Sequence, residues 1–151
     1  MDLPDLIRGV NRRIEQALDA QLKPTGMSLH QYRVLETLDA RNGMAMGDLA
    51  SRLFVDGPTL TKVIDKMVAS AEVYRGPDPH DRRKVLIFLS RKGADCLRDI
   101  RSLGISIQQD LVDRLGSEEA ARLKNLLSEL LDGPAPSSPG AATSLQLEQG
   151  A

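Results

Sequence analysis

The sequence predicts a mostly α-helical protein that carries one small β-hairpin. Three observations lead there. Aromatic residues make up 3% of the chain and Trp is absent, so the core must come from Leu, Ile, Val, Met and Ala, which favours helices over packed sheets. Apolar residues recur at three- and four-residue steps over much of the chain, the pattern of amphipathic helices. One stretch, 73–89, places β-branched and aromatic residues on either side of a Gly, Pro and Asp-rich centre, as a hairpin does. The 151 residues suit one domain with a sizeable core.

The elements follow in order. Leu3, Leu6, Ile7, Val10, Ile14, Ala17, Leu18 and Leu22 mark a first helix, which Pro24 and Gly26 end. Ser28 is a suitable N-cap for a second helix with Tyr32, Val34, Leu35 and Leu38 on its apolar face, stopped at Asn42-Gly43. Met44 to Met46 is a minimal strand, and Gly47 to Leu53 a short third helix. Val55-Asp56-Gly57-Pro58 is a turn leading into a fourth, with Pro58 in the first turn, where a missing N–H costs nothing. There Leu60, Val63, Ile64, Met67 and Val68 face inward, leaving Thr59, Thr61, Lys62, Asp65 and Lys66 largely outward.

Val73 to Arg75 and Val85 to Leu89 read as strands around a loop whose far end, Arg82-Arg83-Lys84, is basic. Ser90 caps a long helix over Arg91 to Leu115, roughly 37 Å at 1.5 Å per residue. Gly116-Ser117 breaks it, and Glu118 and Glu119 suit the positive start of a last helix carrying Leu123, Leu126, Leu127, Leu130 and Leu131. From Gly133 the chain is rich in Pro, Ser and Gly, so residues 133–151 are expected to be a disordered tail.

Several function classes are disfavoured. No run approaches the roughly 18 apolar residues that span a bilayer, and the N-terminus lacks the basic and apolar regions of a secretory signal. The single cysteine, Cys96, allows no intrachain disulfide. A cytoplasmic location and no membrane partner are expected. Two histidines and one cysteine make a dedicated metal site improbable. No Gly-x-Ser-x-Gly, phosphate-cradling glycine loop or His-Glu-x-x-His is present, so no catalytic residue, no cofactor and no enzymatic activity are expected.

Charge points elsewhere. The net charge is -1, but residues 48–93 hold nine Lys and Arg against six Asp and Glu. A locally basic middle between acidic ends suits one surface that meets phosphates. The order helix, helix, strand, helix, turn, helix, hairpin, long helix, helix contains a winged helix-turn-helix. A helix fits the major groove and reads base edges there. The preceding helix braces it, and a basic hairpin beside it reaches phosphates or the minor groove. The fold class is thus mostly α with a small β-wing: a winged helix-turn-helix over 28–90, with N- and C-terminal dimerisation helices over 1–27 and 91–132. Leu6, Val10, Leu111, Leu115, Leu123, Leu127 and Leu130 are the candidate dimerisation residues, because the terminal and long helices carry more apolar surface than a lone domain hides.

Over roughly residues 5–131 the sequence resembles the multiple-antibiotic-resistance regulators, the MarR family of bacteria and archaea. Asp78 to Gly93 looks like that family's wing, with its Asp-x-Arg core on Asp81 and Arg83 and a following Leu-Ser-x-x-Gly at Leu89 to Gly93. Asp56 to Met67 is similar to its recognition helix, and Ser28 to Leu35 to its second helix. One departure is present: Ala71-Glu72 occupies the place of the family's Gly-Leu pair between recognition helix and wing.

The resemblance implies a homodimer on a near-palindromic double-stranded DNA operator. It implies a regulator, expected to be a repressor, that a small-molecule effector releases. Pro58, Thr59, Thr61, Lys62 and Lys66, with Asp81, Arg82, Arg83 and Lys84 of the wing, are the expected DNA-binding residues. Asp81 is expected to orient the wing's arginines, and Arg83 to reach the minor groove. Effectors of the family bind near the first two helices, so Arg8, Arg12, His30 and Arg33 are the candidate ligand-binding residues, for an anionic effector such as an aromatic carboxylate or acyl thioester. The rival reading is a winged-helix module for protein assembly that does not read DNA; such modules tend to lack a basic wing.

Overall fold

A computed structural model describes residues 1–136 of the chain. The expected disordered tail falls, from residue 137 onward, outside the described residues. The chain divides into two compact units, 1–109 and 110 onward.

In the first unit, α1 runs over Leu3–Leu22, with Asp2 as N-cap accepting from the Asp5 N–H. A single 3-10 turn, Lys23–Thr25, closes on Gly26 at φ +72°. Helix α2, Leu29–Ala40, opens with a reciprocal capping box: Ser28 Oγ accepts from Gln31 N–H while Gln31 Oε1 accepts from Ser28 N–H. Strand β1 is only Met44–Ala45. Helix α3, Met46–Leu53, and helix α4, Gly57–Ala69, flank the turn at Phe54 to Asp56. Strands β2 (Val73–Pro77) and β3 (Val85–Leu89) form the hairpin. The three-stranded sheet is antiparallel in the order β1-β3-β2, with Met44 opposite Ile87 and Val73 opposite Leu89.

Helix α5, Arg91–Leu115, begins on Ser90, whose Oγ accepts from Gly93 N–H at 3.0 Å. It carries the chain into the second unit, where α6 spans Ser117–Asp132 with Glu118 and Glu119 in its first turn.

The core belongs to the first unit. Leu35, Leu38 and Val34 of α2, Leu49 of α3, Leu60, Ile64 and Met67 of α4, and Val73 and Ile87 of the sheet are all but sealed from solvent. Burying one such side chain is worth about 1.5–3 kcal/mol, so this cluster holds the first unit together. Helix α1 contributes only its C-terminal half, through Leu18 and Leu22. Its Leu3, Leu6, Ile7 and Val10 are exposed. In α6, Leu123, Leu126, Leu127, Leu130 and Leu131 are exposed, and no residue of that helix is buried.

Three boundaries differ from the sequence expectation. Helix α2 stops at Ala40 rather than at Asn42-Gly43, because Asn42 Oδ1 accepts from Leu89 N–H at 2.8 Å and draws that residue to the sheet. Met46 begins α3 instead of ending β1. Strand β2 continues two residues further, because Gly76 and Pro77 pair with Leu86 and Val85.

Candidate nucleic-acid interface

Helix α4 starts on Asp56, whose Oδ1 accepts from Thr59 N–H at 2.8 Å and whose Oδ2 accepts from the Thr59 hydroxyl at 3.0 Å. These bonds, the backbone one first, hold the Asp56 carboxyl below its ordinary range. Pro58 follows in the first turn. The apolar stripe Leu60, Ile64, Met67 is buried, which fixes the rotation of the helix about its axis. Pro58, Thr61, Lys62, Asp65 and Lys66 are therefore exposed and Thr59 half-buried. Thr61 Oγ1 donates back to Gly57 O at 3.0 Å.

The loop between β2 and β3 is folded by its own aspartates. Asp78 Oδ1 accepts from His80 N–H, and Asp81 Oδ1 accepts from Arg83 N–H at 3.1 Å. Asp78 N–H donates to Lys84 O, and Lys84 N–H to Asp81 O. Asp81 thus shapes the loop through the backbone of Arg83, and Arg82, Arg83 and Lys84 all stand exposed. On one sheet face Tyr74 and Phe88 stack at 5.3 Å, and Gly43 and Gly76 leave room for the Phe88 ring.

The junction from α4 to the wing is built by side chains whose partners lie far along the sequence. Lys92 Nζ donates to Ser70 O at 2.6 Å, and Ser90 Oγ donates to Ala71 O. Ala71 takes the left-handed conformation, φ +61°, the geometry that glycine adopts freely. Glu72 N–H donates to Met67 O, closing the helix end. Its Oε2 is buried without a hydrogen-bond partner among the described residues. Gly93 packs so tightly that an added Cβ would lie 2.1 Å from Glu72 O. A third unforeseen tie joins Arg75 of β2 to Asp65 of α4 at 2.5 Å.

A cavity of about 510 Å³ opens where α1, α2 and α5 of the first unit meet. Leu18, Ile105 and Ile107 supply apolar walls; Tyr32, Arg33, Glu36 and Arg101 supply the polar ones. Arg33 pairs with Glu15 at 3.2 Å and Arg101 with Asp39 at 2.5 Å. Burial, and then hydrogen bonding to Glu36, push the Tyr32 phenol well above its ordinary value, so it stays protonated. Of the four candidate ligand residues, Arg33 lines this cavity. Arg8, Arg12 and His30 do not. Arg8 pairs with Asp5 at 2.7 Å on the outer part of α1, and His30 is half-buried at the start of α2. Sequence reading missed Arg101 because its partner lies 62 residues away.

A capped helix with a polar outer face, a brace helix before it and a basic hairpin after it define a winged helix-turn-helix protein. Residues 25–84 match the model of the MarR family. The Multiple antibiotic resistance protein MarR of Escherichia coli (strain K12) is 32% identical over 127 residues, covering 83% of this chain and 88% of that protein. The chain belongs to the MarR family of winged helix-turn-helix transcriptional regulators. A mutant of E. coli MarR crystallised with operator DNA superposes with a TM-score of 0.74 at 32% identity, over 85% of this chain and 93% of that one. The S. aureus MepR–DNA complex superposes with a TM-score of 0.76 at 25% identity, over 87% of this chain and 98% of that one. Among the described residues no helix is long and apolar enough to cross a membrane.

Proposed function

We propose that this chain is a cytoplasmic, homodimeric repressor that binds a near-palindromic operator duplex and leaves it when a small anionic effector binds. The observation that carries the reading is the outward face of α4, where Thr61, Lys62 and Lys66 stand exposed while the loop that follows presents Arg82, Arg83 and Lys84 to solvent. Helix α4 lies in the major groove, with Pro58 and Thr59 at its entering end and Lys62 and Lys66 on phosphates. The wing grips alongside, with Arg83 in the minor groove and Asp81 holding the loop's shape. The assembly-module reading is not favoured, since it gives the three adjacent loop cations no role.

A second copy of the chain covers the apolar faces left open. Leu6 and Val10 on α1, and Leu115, Leu123, Leu127 and Leu130 in the second unit, are each at least 40% exposed, and Leu111 is half-buried. Stripes of this size on single helices mark protein interfaces. The helical segments 1–27 and 91–132 then serve dimerisation, and 28–90 reads DNA.

The effector seat is the cavity between α1, α2 and α5. Its volume suits a small organic molecule, and two guanidiniums beside apolar walls suit a carboxylate on an aromatic or acyl body. An anion there competes with Glu15 and Asp39 for Arg33 and Arg101, and so disturbs how α1 and α5 are tied to α2. A gel shift with the duplex upstream of the chain's own gene, repeated over a salt series, tests the DNA reading. Binding that weakens steeply with salt is expected, and no retarded species at low salt refutes it. Calorimetry with phenolic acids and their thioesters tests the effector, and heat from none of them refutes that part.

A further inference from the structure

We propose that the Tyr32 hydroxyl, seated in a notch that Gly104 leaves in α5, sets where that helix lies against the DNA-reading segment, making both of them positioning residues for duplex binding. The inference rests on the function proposed above and names the joint that would couple the effector cavity to the duplex. Its first test does not need DNA.

Leu97, Ile100, Gly104 and Ile107 follow one another along α5 at steps of three and four, so they share one face of the helix. Leu97 and Ile100 are buried, and Ile107 packs against the same core. At 104 the stripe has no side chain. Helix α2 fills the space instead: a Cβ on Gly104 would lie 2.4 Å from the Tyr32 hydroxyl oxygen. The phenol has no room to swing aside. Tyr32 is 3% exposed, and its oxygen is hydrogen-bonded to Glu36 and to the backbone of Gly104. A single atom decides the fit. After that oxygen, the atoms nearest the added Cβ are Glu36 Oε2 at 3.5 Å and Tyr32 Cζ at 3.6 Å, both ordinary contact distances.

The notch is also placed to matter. Tyr32 lies in the core cluster that holds Leu60 and Ile64 of α4, so its position is tied to that of the recognition helix. On the other side of the contact, α5 runs on from Gly104 into the second unit at Asp110 and carries Leu111 and Leu115 of the proposed dimer face. A methyl at 104 meets a held phenol in a close-packed interior, so the helix is what gives way. Tyr32 and Gly104 both line the cavity between α1, α2 and α5. An effector that bears on the phenol therefore works the same joint.

The full chain is compared with Gly104→Ala, Tyr32→Phe and the double variant, in which one atom is added where one is removed. Without DNA, thermal melts at one protein concentration read the contact. Gly104→Ala lowers Tm in the parent and raises it in the Tyr32→Phe background, where alanine's better helix propensity acts unopposed. With a fluorescent duplex taken from upstream of the chain's own gene, held well below every Tm, Gly104→Ala weakens binding about fivefold or more while the protein remains a dimer. The double variant binds within about twofold of Tyr32→Phe. Equal changes of Tm in the two backgrounds overturn the notch. A Gly104→Ala protein that binds like the parent overturns the positioning role, and so does a double variant that binds no better than Gly104→Ala. If the parent binds no duplex, the DNA reading fails, while the melts still decide whether the hydroxyl fills the notch.

Discussion

Ala71 is an alanine in glycine's conformation, which makes Ala71→Gly an unusually direct test of how the wing is attached. Its φ of +61° is held from both sides. Its N–H donates to Val68 O, and its carbonyl accepts from Ser90 Oγ at 2.6 Å. The backbone cannot relax without breaking these bonds. The left-handed region costs an L-residue about 1–2 kcal/mol. Glycine removes that cost but adds about 0.4–1 kcal/mol of unfolded-state freedom. The balance is a stabilisation of about 0.5–1 kcal/mol, or roughly 1–4 °C in Tm for a chain of this length. Thermal melts at one fixed protein concentration measure it, since dimerisation makes Tm concentration-dependent. Gly43→Ala is the control of opposite sign: φ there is +76° and a Cβ would sit 2.9 Å from Phe88 Cε1. An Ala71→Gly protein that melts at or below the parent's temperature refutes the reasoning.

Other consequences are as concrete. Gly93→Ala drives a methyl to 2.1 Å from Glu72 O and 2.8 Å from Leu89 Cδ1; overpacking of this kind costs about 1–3 kcal/mol, read as a lower urea midpoint. Tyr32 is favoured as the neutral phenol in the folded chain, so its contribution is intact below its ordinary value of 10.0 and is lost progressively as pH rises from there through the raised value. The alkaline limb of stability should change shape in Tyr32→Phe, which removes the titrating group, measured by denaturant melts up to pH about 11. Asp56 has the opposite sign: its carboxyl is held low by Thr59, so its contribution is present above 3.8 and disappears as pH falls through the depressed value. Asp56→Ala should lower Tm at neutral pH and flatten the acid limb of a Tm-against-pH series.

The helices were legible because their causes are local. The stripe from Leu3 to Leu22 marks out α1, and the caps at Ser28, Asp56 and Ser90 lie within three residues of the groups they satisfy. What stayed hidden depends on distant partners. Asn42 looked like part of a helix stop, yet its side chain is claimed by Leu89, 47 residues on. Lys92 stands in the first turn of α5, where a cation is disfavoured, and its partner, the Ser70 carbonyl at the end of α4, lies 22 residues away. The Ala71-Glu72 departure was visible in sequence, but the cost it carries, a left-handed alanine beside a buried carboxylate oxygen, needed the backbone. The outward residues of α4 followed from its buried stripe. The cavity did not, because Arg33 and Arg101 meet only once α2 and α5 pack together.

Salt dependence of duplex binding tests the wing's grip on DNA most directly. Arg82→Gln, Arg83→Gln and Lys84→Gln combined in one protein remove three exposed cations without touching the buried core. Taking away one phosphate ligand reduces the slope of log K against log salt by about 0.9. The triple variant should therefore bind the operator duplex more weakly, with a slope shallower by about 2–3. An unchanged affinity with an unchanged slope contradicts a wing that holds phosphates.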